Sequence, residues 1–482
     1  MENRRSEFQA TNVPPRLMIA ATQGRSGKTT ISIGICAALR QRGLSVQPFK
    51  KGPDYIDPSW LGAAAGRCCR NLDAFVMPEE EMLSSFQRAC LGVDLGIIEG
   101  AMGLYDSFYP DGRGSSAHLA RLLQTPVILI VNTTRMTRSV AAMVKGYQNF
   151  EPQTTIVGVI LNNVSGKRHE HKLVEAIEHY CGMPILGAVS RDPGLQIAER
   201  HLGLMPIKEG SDTAFKVEKI QRGLEKYLNL DAILAVALGA HGCHISETHI
   251  PKDKAPQVQL GVLFDRAFTF YYPENLEALQ RAGAYLMFID SLNDRSLPPV
   301  DGLYIGGGFP EFFLEELEAN NELRQDIAEA IEGGLPVYAE CAGLMYLCRG
   351  IKWQGKLYEM VGAISGDIEI YQRPQGHGYV SAEVTRENPL LPIGLTIRGH
   401  EFHHSKLINA NGLMFAYRMR RGHGIDGVGD GIVYKNLFAA YTHLHALGTP
   451  QWAEAFVSLA LQERKSRPSF SGQKCFMGGG GS

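Results

Sequence analysis

The sequence predicts an α/β protein built as two successive domains. Three observations carry that expectation. Short continuous apolar runs alternate with helical patterns through residues 16–189, and a second series of the same kind starts at Val258. An apolar run passes directly into Gly27-Lys28-Thr29-Thr30 and then into a helical pattern. A further apolar run, residues 336–339, passes into Glu340-Cys341 and again into a helical pattern. Continuous apolar strands are those buried on both faces of a parallel sheet.

Residues 16–22 read as the first strand, 29–41 as a helix and 44–49 as a second strand. Residues 95–99, 126–131, 155–161 and 185–189 complete the first series. The pattern weakens at 206–257, where Lys, Asp, His and Pro accumulate, and this stretch is expected to connect the domains. The second series comprises a strand at 258–264, a helix at 273–282, a strand at 302–305, a helix at 311–332 and the strand before Cys341. The chain is richer in β pattern beyond Ile370. The expected division is a flexible 1–15, a first domain at 16–205, a connection at 206–257, a second domain at 258–465 and a disordered tail at 466–482 that ends Gly-Gly-Gly-Gly-Ser.

The 482 residues exceed one ordinary core, and 44% hydrophobic with 20% charged residues is a globular composition. No apolar run is long enough for a membrane helix, and the charged N-terminus has no secretory pattern. A net charge of −2 gives no overall attraction to nucleic acid or an anionic membrane, and neither is expected as a partner. Nine irregularly spaced cysteines without a CxxC argue against a disulfide framework and for a reducing cytoplasm. His241-Gly-Cys-His244 has ligand spacing, but its polar surroundings favour a surface loop.

Gly24, Ser26, Gly27, Lys28, Thr29 and Thr30 form the expected ATP loop. Backbone N–H groups and a helix N-terminus would cradle phosphates, Lys28 would reach the β/γ-phosphates, and the Thr29 hydroxyl would take a place on Mg²⁺. Thr22 replaces the first glycine of the strict motif, so the strand-loop-helix context carries the reading. Asp54, Asp57 and Glu99 follow strands that would end at the same sheet edge, and with Thr29 they are the expected magnesium set.

Cys341 is placed as the nucleophile of a strand-to-helix elbow. Adjacent backbone N–H groups would lower its pKa and stabilise an oxyanion. His400, His403, His404, His443 and His445 are candidate bases; in strand geometry His443 and His445 would share a face. Gly306-Gly-Gly-Phe-Pro-Glu311 is either an ordinary glycine turn or, with Gly307, Gly308 and Ala342, an oxyanion-hole loop.

These motifs, with Gln47-Pro-Phe-Lys50, Gly52-Pro-Asp-Tyr-Ile-Asp-Pro58, Asn71-Leu-Asp73, the run 98–106, Arg200-His-Leu-Gly-Leu204, the run 267–275, the run 399–405 and Tyr441-Thr-His-Leu-His445, occur in the order found in one family. Over residues 16–460 the chain resembles the cobyrinate a,c-diamide synthases. The resemblance implies a dethiobiotin-synthetase-like P-loop domain followed by a class I glutamine amidotransferase domain. It implies Cys341 and His443 as the glutamine-hydrolysing pair, Asp54, Asp57 and Glu99 as carboxylates for Mg-ATP, and Tyr55, Ile56 and Asp106 as tetrapyrrole-binding positions. The implied reaction amidates the a and c acetates of a tetrapyrrole polycarboxylate through an acyl phosphate, with ATP and glutamine as co-substrates. Sirohaem and nickel-sirohydrochlorin are alternative rings. A P-loop ATPase or tetrapyrrole carrier with an inactive second domain is the alternative of another class. A homodimer is compatible with the sequence, which leaves oligomeric state open. Arg25 stands where the family usually has glycine, and Lys51 and 59–61 also differ. Many class I amidotransferases place glutamate two residues after the histidine; here that residue is His445, so a complete Cys-His-Glu triad is not expected.

Overall fold

The computed structural model describes residues 14–195, 197, 199, 200, 203, 204, 213–240 and 253–466. The loop at 241–244, the first thirteen residues and the tail after Ser466 lie outside the described residues. Seven parallel strands form the first sheet: β1 (Arg16–Ala21), β2 (Val46–Lys51), β3 (Arg70–Leu72), β4 (Leu95–Glu99), β5 (Val127–Asn132), β6 (Ile156–Val164) and β7 (Ile185–Ser190). Their order is 3-2-4-1-5-6-7. Alternate residues of β1 serve different cores. Leu17, Ile19 and Ala21 join one cluster, Met18 and Ala20 the other, which is why the strand reads as one unbroken apolar run. The chain winds to one side of β1 through β4 and to the other from β5 onward. The loops after β1, β2 and β4 therefore converge at the switch point where open parallel sheets bind ligands.

Helix α1 (Lys28–Gln41) leaves β1 through Gly27, whose φ of 89° is a glycine conformation. Leu44 still bonds back to Leu39 at the end of that helix, so β2 begins two residues later than its apolar pattern suggests. Within the stretch expected to connect the domains, helices Thr213–Leu224 and Leu230–Leu238 pack Val217, Ile220, Leu224 and Ile233 into the first domain's core. Those positions follow helical spacing, but the charged residues between them mask the apolar face.

The second domain carries a ten-stranded mixed sheet. Strands Ala284–Ile289, Val258–Leu263, Gly302–Ile305, Val337–Glu340 and Leu437–Ala440 are parallel, and antiparallel strands extend the sheet to His443–Leu444. Helix Pro273–Ala282 has its proline at the first turn and Gly283 in the left-handed region at its end, so sequence and structure agree to the residue. The helix expected at 311–332 is divided into Pro310–Phe312, Leu314–Ala319 and Asn321–Glu332. Buried Asn320 causes the break, because its amide donates to the carbonyls of Ser291 and Asp294 at 2.8 Å each.

The domains dock through polar and aromatic contacts. Arg70 lies 3.2 Å from Glu274 and 2.5 Å from Glu277. The Tyr379 hydroxyl donates to Asp73 at 2.6 Å while its ring stacks on Phe75 at 4.4 Å.

Candidate active site

The loop after β1 is held by side chains that donate to its backbone carbonyls. Ser26 donates to the Gln23 carbonyl, and Asn162 donates to the Ser26 carbonyl at 2.9 Å. A β-carbon on Gly27 would lie 2.3 Å from that Asn162 amide nitrogen. Lys28 is buried and donates to the Met102 carbonyl at 2.6 Å. Burial and the neighbouring Lys50 push its pKa down to about 8. Asp106 accepts from the Gly103 amide at 2.8 Å and so shapes the loop that presents Met102.

The three expected carboxylates converge, and a residue missing from the sequence-level site holds them together. Lys50, at the carboxyl end of β2, places its ammonium 2.5 Å from Asp57, 2.6 Å from Glu99 and 3.8 Å from Asp54. Burial works against this charge, but Asp57, Glu99 and Asp54 raise the Lys50 pKa well above its usual value. The Thr29 hydroxyl donates to Glu99 at 2.9 Å and Asp57 at 3.2 Å. Asp54 starts helix Ile56–Ala65 by accepting from the Ile56 and Asp57 amides at 2.9 and 3.2 Å. Burial and the adjacent Asp57 push Asp54 up to about 7. Glu99 is likewise raised by burial, and its Oε2 is buried without a hydrogen-bond partner. The available signals for Lys50 were its place at the end of a buried strand and at the end of the Gln47-Pro-Phe-Lys50 motif.

Cys341 sits at the expected elbow. Its φ of 49° and ψ of −101° are strained for a non-glycine residue, and helix Ala342–Leu347 follows at once. A β-carbon on Gly343 would meet the Ile305 carbonyl at 2.3 Å, so only glycine lets the helix approach the neighbouring strand. The expected lowering of the thiol pKa is not found. Burial pushes it up, with Glu311, Glu340 and Asp430 adding to the rise against a bond from the Ala342 amide. The helix N-terminus is there, but burial and the neighbouring carboxylates outweigh it.

His443 is buried and stacks on His400 at 4.9 Å. A β-carbon on Gly307 would lie 2.6 Å from the His443 ring, and one on Gly308 would lie 1.9 Å from the Ala267 carbonyl. The Gly306 carbonyl accepts from the Gly343 amide at 3.1 Å, which ties the glycine loop to the cysteine elbow. The other histidines have different surroundings. His445 lies 3.6 Å from Glu274, His403 stacks on Tyr441 at 3.7 Å, and the His404 Nδ1 lies 3.1 Å from the Tyr371 carbonyl. Burial and its histidine neighbours push His400 well below the usual histidine range.

A single cavity of about 1570 Å³ joins the two ends. Gly24, Ser26, Gly27, Lys28, Thr29, Thr30, Asp54, Tyr55, Ile56, Asp57, Glu99 and Asp106 line it from the first domain, and Tyr379, His400, Phe402 and His443 from the second. Cys341 lies just behind this wall, its sulfur 3.9 Å from the Phe402 carbonyl. Tyr55 spans the domain boundary. Its ring lies 4.6 Å from Tyr272 and 5.0 Å from Phe270, and its hydroxyl is 3.4 Å from His443 Nδ1. At the rim the Arg421 guanidinium lies 3.7 Å above the Phe108 ring.

The comparison with known proteins agrees with this division. Residues 17–204 match the CobQ/CobB/MinD/ParA nucleotide binding domain, and residues 259–451 match the CobB/CobQ-like glutamine amidotransferase domain. A cobyrinate a,c-diamide synthase from Magnetococcus marinus is 47% identical over 459 residues, covering 94% of this chain and 98% of that protein. The chain belongs to the cobyrinate a,c-diamide synthase family. Family members from Methanosarcina acetivorans and Archaeoglobus fulgidus are 42% and 40% identical, covering 94% and 93% of this chain and 97% and 98% of theirs. The same two-domain family order therefore spans the phosphate loop, the carboxylate cluster and the cysteine elbow. Among the described residues no helix is long and apolar enough to cross a membrane.

Proposed function

We propose that the chain amidates carboxylates of a tetrapyrrole polyacid, the a and c acetates of a cobyrinate-type ring, using ATP and glutamine. The observation that carries this reading is the one cavity that exposes the phosphate loop, the carboxylate cluster and His443 together. The family relationship supplies the substrate class.

A carboxylate is unreactive toward ammonia because its oxygen is a poor leaving group. Transfer of the ATP γ-phosphoryl to that oxygen forms an acyl phosphate and releases ADP; ammonia then attacks the carbonyl carbon and phosphate leaves. Lys28 and the loop amides stabilise the charge on the transferred group. Asp54 lines the same cavity, and burial and the adjacent Asp57 push its carboxyl up to about 7. In the second domain Cys341 attacks the glutamine amide carbon, His443 delivers the thiol proton to the departing nitrogen, and water hydrolyses the thioester to glutamate. Ammonia is expected to pass through the shared cavity, with water excluded during turnover.

Magnesium fits the donor set. Thr29, Asp54, Asp57 and Glu99 present hard oxygens, Glu99 Oε2 is an orphaned acceptor, and the Lys50 ammonium already shows that the cluster holds a cation. Among the described residues no group of three or more His, Cys, Asp or Glu side chains is arranged to hold a metal alone. Phosphate oxygens would complete the ligand shell, as is usual for Mg²⁺. When bound with ATP, the ion supplies charge neutralisation at the transferred phosphoryl. Arg25, exposed on the cavity wall, and Arg421 over Phe108 supply cations for the substrate's other carboxylates. Phe75, Phe108 and Tyr379 supply an aromatic face for a flat ring.

The test is mass spectrometry of candidate tetrapyrroles after incubation with ATP, Mg²⁺ and glutamine. A stepwise mass loss for each acid converted to amide is expected. Cys341→Ala is expected to lose glutamine-supported but keep ammonia-supported amidation, and Glu99→Gln to lose amidation from either nitrogen source while keeping basal glutaminase. Loss of both activities in Cys341→Ala would count against separable sites.

A further inference from the structure

We infer that Glu340, the residue immediately before the nucleophile, is the positioning acid of His443 and replaces the glutamate that other class I amidotransferases carry two residues after the histidine. The inference rests on Cys341 and His443 being the glutamine-hydrolysing pair. His445, which occupies the usual acid position, is engaged elsewhere: it lies 3.6 Å from Glu274 and packs on Tyr272 at 4.5 Å.

The topology makes the substitution feasible. Glu340 ends strand Val337–Glu340 and pairs with Ala440 of the adjacent parallel strand. His443 lies three residues beyond Ala440, so the ends of two neighbouring strands bring the carboxylate and the imidazole together. Glu340 Oε2 is 3.5 Å from His443 Nδ1, and both side chains are almost completely buried. Among the described residues His443 is the one ion-pair partner of Glu340.

Three donors fix the carboxylate. The Tyr338 hydroxyl and the Leu444 amide donate to Oε1 at 2.7 and 3.0 Å, and the Tyr304 hydroxyl donates to Oε2 at 3.2 Å. These donors hold the carboxylate with Oε2 toward the histidine. An Oε2 to Nδ1 contact of 3.5 Å is long for a hydrogen bond, and such contacts shorten when substrate closes the site. The contact would select the tautomer with hydrogen on Nδ1, leave Nε2 as the base for the thiol proton, and stabilise the imidazolium formed when Cys341 transfers that proton. Glu340 itself takes no proton. The Tyr55 hydroxyl, 3.4 Å from the same Nδ1, is neutral and cannot supply this charge.

The experiment compares Glu340→Gln and Glu340→Asp in the full chain. It measures kcat and KM for glutamine hydrolysis from pH 5 to 9 and ammonia-supported amidation in parallel. Glu340→Gln is expected to lower kcat for glutamine about 10²–10³-fold with KM changed little and ammonia-supported amidation retained. Removing the carboxylate lowers the histidine pKa, so the acid limb of kcat/KM should move to lower pH. Glu340→Asp, which keeps the charge, should hold the limb near its original position and recover part of the rate. A Gln variant with near-native kcat and an unmoved limb overturns the inference. So does a slow Gln variant whose limb stays in place and whose rate the Asp variant does not improve. If Glu340→Gln also loses ammonia-supported activity, Glu340→Asp decides: a reduced kcat with ammonia activity intact supports the assignment, and an unchanged kcat refutes it. Cys341→Ala runs alongside, because retained glutaminase there would mean that the parent reading had failed, not the role of Glu340.

Discussion

Lys50→Met removes the one ammonium that holds Asp54, Asp57 and Glu99 together. At 2.5 and 2.6 Å and an effective dielectric near 20, each of the two close contacts is worth about 6 kcal/mol of attraction. Most of that offsets the cost of burying the charges. Removing one partner of a buried ion pair costs about 3–5 kcal/mol, because the remaining charge is left uncompensated. At about 2–4 °C per kcal/mol for a domain of this size, the unfolding midpoint of the first domain should fall by about 6–20 °C in EDTA. Magnesium should then restore stability more strongly to the variant than to the native protein, because in the native protein Lys50 competes for the same oxygens. A concentration near 100 times Kd returns about 2.7 kcal/mol. Lowering the pH should also shrink the deficit, since protonated carboxyls no longer need the ammonium. Scanning calorimetry at several Mg²⁺ concentrations and two pH values reads all three effects. A Lys50→Met protein that unfolds within about 1 °C of the native one in EDTA, or one that gains no more from magnesium, would refute the ion-replacement argument.

Three further outcomes are expected. Lys28 is depressed to about 8 in the free protein, and bound phosphates would raise it again, so affinity for a non-hydrolysable ATP analogue should fall as pH rises beyond 8, by up to about tenfold per unit; flat affinity from pH 7 to 9.5 would oppose this. Gly343→Ala should drive a methyl group into the Ile305 carbonyl and cost at least about 10²-fold in glutaminase, with ammonia-supported amidation spared; unchanged glutaminase would contradict the packing argument. Arg70→Met should destabilise domain docking by about 1.5–3 kcal/mol at pH 7. Against burial, His445 and Arg70 hold Glu274 down at about 2, so this contribution is complete above about pH 4.5 and fades as pH falls toward 2; denaturant unfolding at pH 7 and 3 measures it.

The parallel strands were legible because burial on both faces leaves no polar residue to interrupt them; β1, β4 and β5 are examples. The strand β3 was not, because three residues, Arg70 to Leu72, hold no period. Asp54, Asp57, Glu99 and Thr29 could be grouped because each follows a recognisable strand or loop. Lys50 could not, since sequence shows a charge but not that three carboxylates surround it. The same limit hid the partner of His443. The usual offset pointed to residue 445, whereas strand pairing brings in Glu340 from the other side of the chain. The expected thiol activation failed for a related reason: a helix start is visible in sequence, but the desolvation around Cys341 is not.

Tyr55 has one consequence for how the two reactions are timed. It is covalently flanked by Asp54 and Ile56 at the start of a helix, yet its ring is clasped by aromatic residues of the other domain. Any displacement of the carboxylate turn would also move that ring, whose hydroxyl lies 3.4 Å from His443 Nδ1. Under the proposed reaction that contact would tie nitrogen supply to acid activation, and a protein trimmed to either lobe would lose it.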